Sequence, residues 1–379
     1  MTDRDRRERP LLALTMGDPA GIGPEILVKA LCDRGVRERL RPLVVADAAT
    51  LRAQVEMLGA ELNIVEVTTG SGGLSPFGPE PDSGQVEVVD LANVEGDVNF
   101  GEVRGRYGRA AVESIERACE LVCAGAVDGI VTAPISKEAI RAGGSVFPGH
   151  TEMLASLLGV APEAVFTMFV LDRLRIFFLS RHASLSDTIG ALSTSQVVHG
   201  LVRVQQLLEE LGIRNPRVAL AALNPHGGEN GLLGREELEV LAPAARQARS
   251  KGVDVHGPVP ADAVFHQARQ GRYDGVLSLY HDQGHVAAKT VDFFGTVSCT
   301  LGLPVIRTSV DHGTAFDIAG KGVADPSGQV AALEVAASLA GRVLAVRGRR
   351  PAGGRGPGLN GQAGMPDAGV VPAPDRTGV

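Results

Sequence analysis

Short apolar runs of four to seven residues alternate along this chain with longer segments whose apolar residues recur at helical spacing. That alternation confines the chain to an α/β layered fold with mainly parallel strands, since parallel strands bury both faces beneath crossover helices. The runs predict strands at Leu11–Met16, Pro42–Ala46, Gln85–Leu91, Gly129–Thr132, Val165–Leu171, Ile176–Leu179, Val218–Leu223, Gly275–Leu279 and Val305–Thr308. The amphipathic segments predict helices at Glu25–Leu31, Tyr107–Cys123, Ser195–Leu211, Glu236–Ser250 and Gln329–Ala345. In the second of these, Ala111, Ile115, Ala118 and Val122 share one face. The runs around 165–179, joined by "DRLR", are short enough for an antiparallel pair.

Two stretches break the pattern. "TTGSGGLSPFGPEPDSG" (68–84) reads as a surface loop, and the chain from about Arg347 has too few apolar side chains to offset its ordering entropy, which predicts a disordered tail over 347–379. "GPGLNG" in that tail matches the dinucleotide fingerprint in letters alone, because no strand precedes it and no helix follows.

Composition excludes some classes. The net charge is -7, and the basic residues form no stripe interleaved with aromatics, so a nucleic-acid partner is not expected. No apolar stretch reaches membrane-spanning length and no signal-peptide core is present. Cys32, Cys119, Cys123 and Cys299 are few and scattered, which suits a reducing cytoplasm.

The chemistry gathers where strands end. "IFFLSRH", "VALAALNPH" and "VLSLYH" each deliver a histidine, His182, His226 and His281, and "GIVTAP" leads to His150 in "FPGHTE". Sites in open α/β sheets form beyond the carboxyl ends of strands. Three imidazoles from three strand ends can hold a divalent metal with a position open for substrate. Spacing alone lets His285 join His281, but Gly284 weakens a helix there and no glutamate completes a zinc-protease motif, which favours His281 by itself. Asp282 follows His281. Asp262, in "PVPADAVF", reads either as a helix N-cap or as a general acid/base or orienter of a ligand histidine. Lys289 and Arg307 flank an apolar stretch, where a cation needs an anion; an anionic substrate group and a protein salt bridge both answer that need. The glycine-rich "TMGDPAGIGPE" (15–25) lets backbone come close to a ligand or a neighbouring strand, and the polar loop "SVDHGTAFDIAGKGVADPSG" (309–328) is a further candidate binding segment.

With these blocks laid out, the chain resembles the family of 4-hydroxythreonine-4-phosphate dehydrogenase and its relatives. The resemblance rests on "LTMGDPAGIGPE", "VTAPISKEAI", "GHTEMLA", "LNPHGGENGLLGREE", "YHDQGHVAAK" and "TLGLPVIRTSVDHGTAFDIAGKGVADP", in family order from Leu14 to about Pro326. The last block is also similar to the "HGTA" cofactor loop of isocitrate and isopropylmalate dehydrogenases, whose two-lobed α/β/α fold the family shares. The resemblance implies a first lobe of residues 10–133 plus 303–346, a second of 134–302, and a site in the cleft between them at a homodimer interface. It implies one divalent metal (zinc, magnesium or cobalt) on His182, His226 and His281. It implies substrate contacts from His150, Thr151, Lys289, Ser298 and Arg307, with Asp262, Asp282 and Lys289 as catalytic candidates. NAD or NADP would lie on Asp311, His312, Gly313, Thr314, Ala315 and Asp317.

The activity so implied is metal-dependent oxidation, with decarboxylation, of 4-phosphooxy-L-threonine in vitamin B6 synthesis or of a related phosphorylated four-carbon hydroxy acid. D-threonate or D-erythronate 4-phosphate, or an aromatic dihydrodiol dicarboxylate, are the alternatives within the family. A non-catalytic ligand-binding regulator and a metal-dependent hydrolase are the alternatives outside it. Ser298 stands where the vitamin B6 enzyme usually has a substrate-binding asparagine, and it lacks the amide's paired donor and acceptor.

Overall fold

The computed structural model describes residues 9–67 and 84–348. The expected loop 68–84, apart from Gly84, and the expected tail from 349 lie outside the described residues; residues 347 and 348 still belong to the last helix.

Twelve strands form one sheet: β1 (Leu11–Thr15), β2 (Arg41–Ala46), β3 (Asn63–Glu66), β4 (Gln85–Asp90), β5 (Gly129–Thr132), β6 (Phe166–Leu171), β7 (Leu174–Phe178), β8 (Val218–Ala221), β9 (Val255–Val259), β10 (Gly275–Ser278), β11 (Val297–Leu301) and β12 (Ile306–Ser309). Their order across the sheet is β3-β4-β2-β1-β5-β12-β11-β6-β7-β10-β8-β9. From β3 to β12 every neighbour is parallel. The next three pairings, β12 with β11, β11 with β6 and β6 with β7, are antiparallel. From β7 to β9 the pairing is parallel again. The sheet is thus two parallel fields running in opposite directions, joined by a short antiparallel seam. The antiparallel pair expected around 165–179 is β6 and β7 of that seam.

Every predicted strand and helix is present, with ends displaced by a few residues. The helix Gly105–Cys123 buries the face that its sequence announces: Ala111, Ile115, Ala118 and Val122 are all in the core. The segment predicted as one helix over 236–250 opens with a π-turn at Glu237–Leu241 and continues as the helix Ala242–Ser250. The sequence reading missed β3 and β9, which form the two edges of the sheet, and β11 in the seam. Edge strands tolerate polar residues and proline, and β9 carries Gly257 and Pro258. Among the described residues no helix is long and apolar enough to cross a membrane.

A helix over 281–291 forms despite Gly284. A Cβ on Gly284 would stand 2.6 Å from Phe178 Cε1 and 2.7 Å from Ile176 Cγ2. Glycine lets this helix lie hard against β7, and that contact outweighs its poor helix propensity.

Candidate functional site

The strand order explains why three histidines leave the sheet at one edge. β7, β10 and β8 are adjacent and parallel. His182 follows the first, His281 the second and His226 the third. The structure brings two of them together: the rings of His182 and His281 lie 6.3 Å apart between centroids. His281 Nδ1 is 2.6 Å from Asp282 Oδ1. An ionised carboxylate only accepts, so Nδ1 donates in this contact. Asp282 therefore orients His281.

His285 stacks on His281 at 3.5 Å and donates from Nδ1 to the His281 carbonyl at 2.8 Å. Phe169 and Phe178 pack its ring on the other sides. Burial lowers the His285 pKa from its ordinary value, and burial with the nearby charges of Arg181, Lys137 and His281 lowers that of His182.

His226 does not join this pair. It sits on the loop after β8 in a left-handed run, with φ of 53° at His226, 45° at Glu229 and 54° at Asn230. Such φ values are costly for residues other than glycine and persist where surroundings impose them. Buried Glu237 imposes the entry to this loop by accepting from the Leu223 and Asn224 backbone N–H groups at 2.8 and 2.7 Å. The exposed His226 ring meets Glu229 Oε2 at 3.0 Å. Among the described residues, no group of three histidine, cysteine, aspartate or glutamate side chains is placed to hold a metal ion. A divalent ion thus fits one chain incompletely: two imidazoles approach each other and the third ligand is elsewhere.

The two cations left open by the sequence are decided differently. Lys289 has a protein partner, with Nζ 2.6 Å from Asp311 Oδ2. Arg307 is buried, and its described partners are hydroxyls: Thr132 Oγ1 accepts from Nε at 3.1 Å and from Nη2 at 2.6 Å, and Thr300 Oγ1 accepts from Nη1 at 3.1 Å. No carboxylate pairs with it among the described residues. Burial pulls its pKa down to about 10, which still leaves it charged at neutral pH. A buried cation without an anion is expensive, and a negatively charged ligand beside Arg307 would offset that cost.

His150 lies close enough to feel the Arg307 charge. Burial first, and that charge second, hold its pKa well below the ordinary value, so its imidazole stays neutral. Its Nε2 is shielded from solvent and has no hydrogen-bond partner among the described residues. Thr151 follows in the same short helix, His150–Leu157. Ser298 lies on β11 opposite Ser309 of β12.

The expected cofactor segment is pinned to the glycine-rich loop after β1. The Ile22 N–H donates to Thr314 O at 2.9 Å, and a Cβ on Gly21 would stand 2.9 Å from Thr314 Cβ. Ala315 adopts φ 42°. His312 is half-buried and its Nδ1 meets Gly313 O at 3.0 Å; a Cβ on Gly313 would face open space. Asp317 O accepts from Lys321 Nζ at 2.7 Å. The segment begins at Asp311, which pairs with Lys289.

Asp262 is not an N-cap. It occupies the first turn of the helix Ala261–Arg269, whose cap residue is Pro260. With Asp282, Tyr280 and Val286 it lines a cleft of about 590 Å³ between this helix and His281–Val291. Sequence reasoning passed over Thr132, Thr300 and Ser309, which surround Arg307, and Lys137, whose charge bears on His182. Thr132 and Lys137 sit in "VTAPISKEAI", but a hydroxyl on a buried strand carries no signal until its neighbour across the sheet is known.

The profile of the family described as pyridoxal phosphate biosynthetic protein PdxA matches residues 38–336. A protein named putative D-threonate 4-phosphate dehydrogenase, from Cutibacterium acnes, is 47% identical over 340 residues, covering 89% of this chain and 96% of that one. Solved structures named 4-hydroxythreonine-4-phosphate dehydrogenase superpose along the chain. The one from Burkholderia phymatum has TM-score 0.77 at 41% identity, covering 87% of this chain and 98% of that one. The one from Klebsiella pneumoniae has TM-score 0.77 at 38% identity, covering 87% and 99%.

Proposed function

This chain belongs to the PdxA family of dehydrogenases, and from that premise we propose that it oxidises the secondary alcohol of a phosphorylated four-carbon hydroxy acid with NAD or NADP, and that the product loses carbon dioxide. The observation that carries this reading is Arg307, a buried guanidinium whose described partners are all neutral hydroxyls. A substrate with a phosphate at one end and a carboxylate at the other supplies the missing anion. The name of the Cutibacterium acnes relative favours D-threonate 4-phosphate. The names of the superposed structures favour 4-phosphooxy-L-threonine as the second reading.

In this reading Arg307 anchors one anionic end of the substrate, and neutral His150 and Thr151 bond to it from the neighbouring helix. Lys289 and Ser298 bound the rest of the substrate. Anchoring both ends holds the carbinol carbon in line with the cofactor. Bound NAD or NADP, on Asp311 to Asp317, would accept the hydride from that carbon. The hydroxyl hydrogen leaves as a proton, and the resulting ketone lies beside the carbon bearing the carboxylate, which allows decarboxylation. Asp311 Oδ2, 2.6 Å from Lys289 Nζ, holds that side chain in place, and in this reading Lys289 serves as a fixed cation. Asp282 serves by holding His281.

The incomplete ligand set in one chain is a reason to propose a homodimer in which a second copy completes a divalent-metal site with His182, His226 and His281.

The test follows reduced-nicotinamide absorbance with four substrates: D-threonate 4-phosphate, 4-phosphooxy-L-threonine, D-erythronate 4-phosphate and an aromatic dihydrodiol dicarboxylate. We expect turnover of the first, loss of turnover with a chelator, and recovery with divalent metal. Turnover of the dihydrodiol alone would overturn the phosphorylated-substrate reading, and reduction of neither NAD nor NADP with any of the four would overturn the dehydrogenase reading for this chain.

A further inference from the structure

The hydroxyls around Arg307 form a directed network across the sheet. Register places Thr132 of β5 opposite Ser309 of β12, and Ser309 opposite Ser298 of β11. One step along, Arg307 of β12 lies opposite Thr300 of β11. Alternation puts all of these side chains on one face. Thr308, between them in sequence, points to the other face and donates to Ala332 O in the helix Ser327–Gly348.

The proton directions on the network are forced. Thr132 Oγ1 accepts two N–H groups from Arg307, so its own hydrogen must go elsewhere, and Ser309 Oγ stands 3.1 Å away to accept it. Ser309 Oγ gives its hydrogen to Thr132 O at 3.0 Å. Both hydroxyl hydrogens thus have a fixed direction, and the guanidinium is held in place. Of its five N–H groups, three are used: one on Nε, one on Nη2 and one on Nη1. One N–H remains on each terminal nitrogen to donate to an oxyanion.

We propose that Thr132, held by Ser309, is the positioning residue that fixes Arg307 for the substrate's anionic group. The proposal rests on the reading of Arg307 as the anion anchor. Neither hydroxyl touches the reacting carbon. Their contribution is to keep a long flexible side chain in the geometry that receives the anion, so it is expressed in binding and not in the chemical step.

The experiment compares wild type with Thr132→Val, Thr132→Ser and Ser309→Ala. Inorganic phosphate and acetate, the free counterparts of the two anionic ends, are titrated calorimetrically, and steady-state kinetics are measured with whichever substrate is turned over. Thr132→Val should weaken phosphate or acetate binding about tenfold or more and raise KM by a similar factor, since a hydrogen bond to a charged group is lost. Its kcat should stay within about threefold. Thr132→Ser should recover most of the affinity, and Ser309→Ala, which removes only the second link, should lose less than Thr132→Val. A general structural role would instead lower melting temperature without separating KM from kcat.

Anion affinity unchanged in Thr132→Val overturns the proposal, and so does an equal loss in the serine variant. If Thr132→Val does not fold, Ser309→Ala decides: unchanged affinity and KM there overturn the network. A wild type that binds neither anion ends the reading of Arg307 itself, an outcome distinct from binding that is indifferent to Thr132. Which anion competes also tells which end of the substrate lies at Arg307.

Discussion

Asp18 carries its carboxylate fully into the interior, where Oδ1 accepts the Ala20 N–H at 2.9 Å and Oδ2 has no partner among the described residues. Burial raises its pKa from 3.8 to about 6, against a smaller opposing effect of the Ala20 hydrogen bond. An acid whose folded pKa lies above its unfolded value stabilises the fold while protonated, and that stability is lost as pH rises from about 4 through about 6. Asp18→Asn should therefore melt higher than wild type at pH 7.5, with the gap narrowing by pH 5; thermal denaturation at the two pH values checks it, and a gap that widens on acidification would contradict it. The same scale separates Lys289 from Arg307. In sequence both are cations near an apolar stretch, with a ligand anion and a protein salt bridge as open answers. The structure gives Lys289 the carboxylate of Asp311 and Arg307 the hydroxyls of Thr132 and Thr300. Asp311 lies 22 residues from Lys289, and no periodicity encodes that meeting.

Among the elements, the helix His281–Val291 matters most to the site, because it delivers His281, His285 and Lys289 from one face. Its Gly284 permits close contact with β7, and the helix-propensity gain of an alanine, about 1 kcal/mol, is smaller than the expected overpacking cost of about 1–3 kcal/mol. Gly284→Ala should consequently lower stability in denaturant titration; a more stable variant would mean that Phe178 and Ile176 yield more easily than the contact at 2.6 Å suggests. The sequence announced this strand's exit and its polar cluster but not the helix that follows, and it announced the helix Gly105–Cys123 down to its buried face. It did not announce β11, whose alternating serine, cysteine and threonine become a strand through pairing with β6 and β12. Nor did it announce the left-handed run from His226 to Asn230, which depends on Glu237 reaching back to the loop's entry.

At the scale of the molecule, two parallel fields of opposite direction share one sheet. The proposed homodimer predicts complementation. Mixing His226→Ala with His281→Ala, each inactive alone, should restore partial activity and metal content after subunit exchange if one site draws ligands from two copies. No recovery, with mixed dimers shown to form, would place all three ligands in one subunit. The amino-acid order alone determined the α/β alternation, the strand exits at which histidines gather, and the blocks that mark the family, because these are local patterns of apolar period and side-chain type. Only the tertiary structure decided which cation is neutralised within the protein, which hydroxyls hold Arg307, and that His182 and His281 meet while His226 does not. Those facts depend on strand order and register, which bring together residues that are far apart along the chain.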